Sequence, residues 1–159
     1  MGSRSNIDLA YIAGFLDGDG SLMLQIKKRA DGKNKIRFMA TICFYQDTRH
    51  EKELFWIQKI LGIGYISRRN DGMSELRVNG YKTVGEILKK LIPNIRFKKI
   101  QAKALFESCK ILSKTKFNML HGEQLAKLVD LILVIQNENY ITKKKKTRSE
   151  LLRILGLTP

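Results

Sequence analysis

The chain has few of the residues that build metal centres and disulfide frameworks. Its 159 residues include two cysteines and two histidines. Cys43 and Cys109 have neither the spacing of a metal site nor a disulfide framework around them, so we expect two reduced thiols. Two histidines are too few for a histidine-based metal site.

Long apolar runs are also missing. No stretch approaches the roughly 18 apolar residues that suggest a membrane span, so we expect no membrane protein. The leading residues 1–5 lack the apolar core of a signal peptide, and no targeting signal is visible. We set them aside as a disordered start or an expression remnant. With 43% hydrophobic residues, the chain is predicted to form one domain over residues 6–159.

Acidic residues are scarce relative to basic ones. The chain has 30 lysines and arginines against 15 aspartates and glutamates, which gives a net charge of +15 and a pI near 10.0. Such an excess indicates a polyanionic partner. Membrane surfaces also attract cations, but the basic residues here fall in strand-like and loop segments and not along one amphipathic helix. Nucleic acid is therefore the favoured partner.

Hydrophobic periodicity predicts a mixed fold. A helix begins near Asn6, which can cap it, and ends in the Asp-Gly-Asp-Gly sequence at 17–20. Alternation of apolar and polar residues, together with Asp-Gly turn signals, predicts two hairpins, with helices between and after them. The predicted strands are 21–29, 35–45, 64–70 and 73–79, and the predicted helices are 50–61, 83–92, 98–112, 122–137 and a last one opened by a capping box at Thr147 and Glu150. The order αββαββα with appended helices indicates an α+β domain, with helices on one face of an antiparallel sheet.

The other face of this predicted sheet is polar and basic. Two twisted hairpins side by side form a concave ribbon that fits a major groove. Arginine and lysine can read guanine there, glutamine can read adenine, and glutamate can accept from cytosine. A merely solvated face would also alternate and be charged, so both interpretations stay open. The candidate DNA-binding residues on this face are Gln25, Lys27, Arg29, Arg37, Ser67, Arg69, Glu75 and Arg77.

The first predicted helix carries an unusual pair of glycines. In the stretch YIAGFLDGDG at residues 11–20, Gly14 and Gly18 lie four residues apart and share one face. Glycine inside a helix costs about 1 kcal/mol relative to alanine. The spacing therefore indicates that something packs very close to the helix backbone at this face.

At this position in an αββαββα chain, YIAGFLDGDG resembles the motif of the LAGLIDADG homing endonucleases, and the element order matches from about Asn6 to about Lys146. The resemblance implies that the two hairpins form a saddle in the DNA major groove. It also implies that two motif helices pack backbone to backbone through Tyr11, Gly14, Phe15 and Gly18. Relatives with one motif copy are homodimers, so the single copy here implies a homodimer and a pseudopalindromic DNA site.

The resemblance also assigns a catalytic set. Asp19 at the end of the motif helix would hold Mg²⁺ or Mn²⁺ with the Gly18 carbonyl as a further ligand. Gln46 would orient water, and Lys98 would lie close to the reacting phosphate. The alternatives in register for this lysine are Lys99 and Arg96, and the basic residue expected a few positions after the glutamine is Arg49 or His50. Asp17 matches a less essential motif position and is expected to be a cap or a surface residue.

The implied activity is hydrolysis of double-stranded DNA across the minor groove, leaving 3′ overhangs. The run from Lys143 and Lys144 to Lys146 matches a loop that touches the DNA backbone in such relatives, although lysine runs are most often only solvated. Two other functions stay open: an intron maturase that binds RNA, and a non-cleaving DNA-binding regulator. Heavy use of isoleucine, lysine and asparagine indicates an A+T-rich genome, as in a chloroplast or mitochondrion, although a prokaryotic cytoplasm also fits.

Overall fold

The computed structural model describes residues 5–30, 35–140 and 143–158. Its elements follow the predicted order αββαββα, and three further helical segments complete the chain. They are α1 (Asn6–Asp19), β1 (Gly20–Lys28), β2 (Ile36–Asp47), α2 (Lys52–Leu61), β3 (Tyr65–Arg68), β4 (Met73–Asn79), α3 (Tyr81–Leu91), α4 (Lys99–Lys114), α5 (Gly122–Glu138) and α6 (Arg148–Ile154). Short 3-10 turns lie at Thr48–His50, Ile92–Asn94 and Phe117–Met119. No helix in these ranges is both long enough and apolar enough to cross a bilayer.

The four strands form one antiparallel sheet in the order β1-β2-β4-β3. Gly20 pairs with Phe44, and Thr41 of β2 pairs with Asn79 of β4, which joins the two hairpins. Alternate side chains of the strands point into one core beneath the helices, as the period of two predicts. The buried strand residues of this inner face include Leu22, Leu24, Phe38, Ala40, Ile42, Phe44, Leu76 and Val78.

Most element boundaries differ from prediction by one to three residues, for local reasons. Ser5 and not Asn6 caps α1, because the Ser5 side chain accepts the amide hydrogen of Asp8. The predicted cap at Asn6 is wrong. The helix predicted from His50 begins at Lys52, since a 3-10 turn capped by the Asp47 side chain comes first. The turn predicted at Asp31–Gly32 lies outside the described residues.

Gly20 is the point where α1 changes directly into β1. A Cβ atom on this residue would lie 2.8 Å from the carbonyl oxygen of Leu16 and 2.9 Å from its Cα. Both are backbone atoms that cannot rotate away. The last glycine of the motif is therefore required by the tight junction between helix and strand, whereas Gly14 and Gly18 need a different explanation.

Candidate active site and DNA interface

The end of α1 presents one carboxylate to solvent. Asp19 is the last residue of α1, and both Asp19 and Gly18 are exposed. The last carbonyl groups of a helix carry partial negative charge. Carboxylate and carbonyl oxygens are the ligands that Mg²⁺ prefers. The donor atoms available here therefore fit a divalent cation.

These two donors form only part of a metal site. Over residues 5–30, 35–140 and 143–158, no three aspartate, glutamate, histidine or cysteine side chains cluster closely enough to hold a metal ion. Asp19 is consequently not part of a complete acidic cage within the described chain.

The ammonium group of Lys98 lies against the same end of α1. Its Nζ donates to the carbonyl oxygen of Asp17 and lies 3.5 Å from that of Gly18. Partial burial lowers the pKa of Lys98 from its ordinary value, and the carboxylates of Asp17 and Asp19 oppose this shift. Among the predicted alternatives in register, the side chain that bonds to α1 is that of Lys98.

Asp17 lies on the inner side of the helix end. Only 8% of the residue is exposed, and its carboxylate accepts three backbone N–H groups: Arg96 at 2.6 Å, Phe97 at 3.2 Å and Lys98 at 2.9 Å. Asp17 is thus a cap, as one of the two expectations had it, but it caps the segment before α4 and not its own helix. The expectation of a surface residue is wrong, because the carboxylate is buried against a segment that lies 79 to 81 residues away in sequence.

Gln46 lies near the end of β2, the strand that pairs with the start of β1. It is two residues beyond Phe44, the strand partner of Gly20. Its Oε1 accepts the N–H of Asp47 at 2.8 Å. Arg49 donates through Nε and Nη2 to the carboxylate of Asp47, and these bonds lower the pKa of Asp47 to about 2. Arg49 and His50 are both exposed.

The centre of the outer sheet face is a polar network. Arg77 donates through Nη2 and Nε to Oε1 of Glu75 at 3.0 and 3.2 Å, and Ser67 donates to the same oxygen at 3.4 Å. Cys43 lies opposite Arg77 on this face and is fully buried, which raises the pKa of its thiol. Of the candidate DNA-binding residues, three therefore form one contiguous group: Ser67, Glu75 and Arg77.

The other candidate DNA-binding residues lie along the two hairpins toward their turn ends. Lys27 pairs with Arg37, and Gln25 lies one outward position before Lys27 on β1. Arg29 and Arg69 lie just beyond the ends of β1 and β3, where Arg69 is paired with Asp71 at 2.7 Å. These two arginines belong to the hairpin ends and not to the paired strands.

Sequence reasoning missed two tyrosines on the outer face. Tyr45 pairs with Glu75 in the sheet, and its hydroxyl lies 3.0 Å from Oγ of Ser21. Tyr65 pairs with Arg77 and is 51% exposed. Counting by twos along β2 and β3 places both on this face, so the signal was present in the alternation. Both add hydroxyl groups that can donate to or accept from a base edge.

The lysine run is fixed beside the edge strand β1. The side-chain amide of Gln136 on α5 accepts the N–H of Lys146 at 3.2 Å and donates to its carbonyl at 3.4 Å. Lys144 and Lys146 line one groove together with Gln25 and Lys27 of β1. The exposed lysines that precede α6 thus lie next to the outer sheet face, in reach of the same ligand.

We expect Gln136→Ala to free the lysine run. Loss of both hydrogen bonds should make local opening easier by about 1 kcal/mol, and trypsin should then cut after Lys143–Lys146 roughly fivefold faster. Limited proteolysis followed by mass spectrometry measures this rate. Asn137→Ala, at the exposed neighbouring position on α5, is the matched control and should leave the rate unchanged. Equal rates for both variants and the unmodified chain would show that the two hydrogen bonds from Gln136 do not hold the lysine run in place.

At Gly14 and Gly18, the outward face of α1 has no partner within the described chain. A Cβ atom on Gly14 or Gly18 would meet nothing within 4 Å there. Ile7 and Tyr11 on this helix are 81% and 58% exposed. Phe15 is half-buried, with its ring 6.3 Å from that of Phe44. The ring of Tyr11 also meets that of Trp56 edge-on at 5.5 Å. The uncovered part of this face is therefore the small-residue surface at Gly14 and Gly18, with the exposed Ile7 and the exposed portion of Tyr11 beside it.

Two further exposed apolar side chains lie on the segment that follows the 3-10 turn at Ile92–Asn94. Phe97 and Ile100, at the start of α4, are 87% and 53% exposed, and the backbone of Phe97 is held at the end of α1 by Asp17. An exposed apolar patch of this kind marks an interaction surface more often than a solvated one.

Residues 12–112, more than half of the chain, match the family model described as LAGLIDADG endonuclease. The DNA endonuclease I-CvuI of Chlorella vulgaris is 39% identical over 113 residues, which are 71% of this chain and 70% of I-CvuI. The DNA endonuclease I-CreI of Chlamydomonas reinhardtii is 29% identical over 145 residues, which are 91% of this chain and 86% of I-CreI.

Solved structures show the same similarity. A crystal structure of I-CvuI with its target in 2 mM Ca superposes with a TM-score of 0.82 at 31% identity, over 97% of this chain and 98% of that one. A second structure of I-CvuI, with the I-CreI target in 2 mM Mg and the DNA not cleaved, superposes with a TM-score of 0.73 at 33% identity, over 96% and 97% of the two chains. The predicted antiparallel sheet with helices on one face is thereby confirmed.

Proposed function

The chain belongs to the LAGLIDADG endonuclease family, and from that premise we propose that it is a homing endonuclease that cuts both strands of a specific DNA site with the help of Mg²⁺. The observation that carries the proposal is the convergence of Asp19, Gly18 and Lys98 at one exposed helix end. The RNA maturase and the non-cleaving regulator are less well supported, because both similar proteins are DNA endonucleases.

Asp19 and the Gly18 carbonyl would hold the cation. A bound Mg²⁺ lowers the pKa of a coordinated water and stabilises negative charge on phosphoryl oxygens. The chain supplies the other requirements of hydrolysis. The Lys98 ammonium offers a fixed positive charge for the charge that develops at the phosphate. Gln46 accepts the Asp47 amide through its oxygen, so its NH₂ group is the part available to orient a water.

DNA would lie along the outer sheet face. Gln25, Lys27, Arg37 and Arg77 would contact base edges in the major groove, and the lysine loop beside β1 would contact the phosphate backbone. Ser67, Glu75 and the hairpin-end arginines Arg29 and Arg69 complete this surface, with Lys143 and Lys144 on the backbone side. The net charge of +15 suits such a ligand.

We propose that two copies pair through α1. One motif per chain provides one Asp19, whereas cutting both strands calls for two active sites. No part of the described chain packs close enough to α1 to require glycine at positions 14 and 18, although each glycine costs about 1 kcal/mol in a helix. Close packing of a second α1 on this face would explain both residues and would also cover Ile7, Tyr11 and Phe97. The two copies of Asp19 would then lie near one twofold axis.

Gly14→Val is expected to separate the subunits without unfolding them. A Cβ atom at this position meets no atom of its own chain within 4 Å, and valine disfavours a helix less than glycine does. The substitution should therefore not destabilise the fold of the single subunit. Sedimentation should show a monomer at micromolar concentration where the unmodified chain is a dimer. Gly122→Val, at a glycine with equally open surroundings on α5, is the control and should remain dimeric.

An unmodified chain that sediments as a monomer at micromolar concentration, with and without DNA, would refute the proposed dimer. Cleavage of both strands by such a monomer would refute the argument from two active sites as well.

A selection and cleavage experiment tests the endonuclease proposal. The unmodified protein is used to select duplexes from a random palindromic library, and the selected duplex is incubated with Mg²⁺ or with EDTA. We expect a double-strand break with 3′ overhangs in Mg²⁺ only. Binding without any cutting in Mg²⁺ or Mn²⁺ would favour the regulator, and tight binding of structured RNA in place of DNA would favour the maturase.

A further inference from the structure

Asp17 holds the chain segment from which Lys98 projects. Three consecutive amides, those of Arg96, Phe97 and Lys98, donate to its two carboxylate oxygens. These amides lie immediately before α4, whose N-cap residue is Lys98. The buried Asp17 carboxylate is the acceptor of all three, so it fixes the backbone from which α4 starts.

The contact is reciprocal. While the Asp17 carboxylate binds the backbone of Lys98, the Lys98 ammonium donates to the backbone carbonyl of Asp17 and reaches toward that of Gly18. The two residues therefore close a small ring between the last turn of α1 and the segment that leads into α4. Any shift of one helix end moves the ammonium relative to the neighbouring Asp19.

We infer that Asp17 is a positioning residue, which fixes the Lys98 ammonium beside Asp19 by holding the 96–98 backbone. The inference rests on the proposed function, because it assigns to Lys98 a task in hydrolysis. It gives the two aspartates of the motif different tasks. Asp19 faces outward to cation and phosphate, whereas Asp17 faces inward and acts through the lysine alone.

A double-mutant cycle tests the inference. Asp17→Asn keeps the size of the side chain but replaces one of its two acceptor oxygens with an NH₂ donor, so at least one of the three N–H groups faces another donor and the 96–98 backbone should shift. Misplacement of a reacting group by about 1 Å can cost on the order of 10²-fold in rate. We expect a loss of this order in the single-turnover cleavage of the library-selected duplex, with DNA affinity nearly unchanged. In a Lys98→Ala background, Asp17→Asn should lower the cleavage rate little further, because the ammonium group that Asp17 positions is already absent.

A purely structural role would give a different result. Asp17→Asn would then lower the cleavage rate by the same factor in both backgrounds, and this outcome would overturn the inference. Asp17→Glu keeps the acceptor charge and serves as the second variant, with an intermediate rate expected. If this variant also shows equal losses in both backgrounds, the inference fails independently of Asp17→Asn.

Hydrogen exchange provides a measurement that does not depend on activity. The amides of residues 96–98 should exchange faster in Asp17→Asn than in the unmodified protein, while Asp19→Asn, two residues away, should leave them unchanged. Unchanged exchange in Asp17→Asn would overturn the inference. Faster exchange in a protein that proves unable to cut any DNA would show instead that the contact exists and that the proposed function is wrong.

Discussion

Asp19→Asn is expected to reduce DNA cleavage by several orders of magnitude and to leave DNA binding intact. The substitution keeps the size and shape of the side chain but removes its negative charge, so a divalent cation loses its principal ligand in both subunits of the proposed dimer. Asp19 is exposed, so the change should not lower the melting temperature. Single-turnover cleavage in Mg²⁺ and an affinity measurement in Ca²⁺ separate the two effects.

The same variant should bind DNA more tightly than the unmodified protein when no metal is present. A carboxylate that faces a phosphate backbone repels it unless a cation lies between them, and asparagine removes that repulsion. Asp8→Asn removes a carboxylate from the other end of α1 and is the control, with cleavage at the unmodified rate expected. If Asp19→Asn cuts its site at the unmodified rate in Mg²⁺, the assignment of the metal ligand is wrong.

Arg77→Ala should weaken binding to the preferred site by about 1–3 kcal/mol and relax the base preference at one position per half-site. Arg77 is held by Glu75 near the middle of the outer face, with 24% of its side chain exposed, so little conformational entropy is lost when it meets a base. Selection from a library randomised at each position measures the preference. Glu75→Gln leaves Arg77 in place but weakens its anchor, and a smaller effect at the same base position is expected.

A phosphate contact should behave differently. Lys144→Ala is expected to weaken binding to all sequences alike and to make the dependence of affinity on salt concentration shallower. A base preference that stays unchanged in Arg77→Ala, together with unchanged preferences in Lys27→Ala and Arg37→Ala, would show that the outer face is only solvated.

The fold was predictable because its signals are local. Alternation along β1 and β2 and the Asp71–Gly72 turn of the second hairpin act over a few residues. The alternation sorts the side chains correctly into the buried inner face and the polar outer face. The cap of α1 was misassigned to Asn6 because Ser5 and Asn6 are both good capping residues. Such a choice depends on backbone angles that composition alone does not determine.

The site was predictable only in part. The helix end with Asp19 follows from the motif, but the role of Asp17 depends on amides about 80 residues further along the chain, and no periodicity connects the two segments. Which of Arg96, Lys98 and Lys99 bonds to α1 depends on the path of the chain between the 3-10 turn at Ile92–Asn94 and α4, and Pro93 marks this turn without determining that path. Long-range hydrogen bonds of this kind appear only when the tertiary structure is known.

The sealed centre of the outer face limits how this protein can be retargeted to a new DNA sequence. Thr41 and Cys43 point outward yet are fully buried, since Asn79 bonds to the first and Arg77, Tyr45 and Ser21 surround the second. A larger residue at either position must displace its neighbours, so central positions will have to be redesigned together. At the hairpin ends, Lys27 and Arg37 are exposed, and engineers can vary them one at a time. Libraries for altered specificity should therefore be combinatorial in the middle of the sheet and modular at its rim.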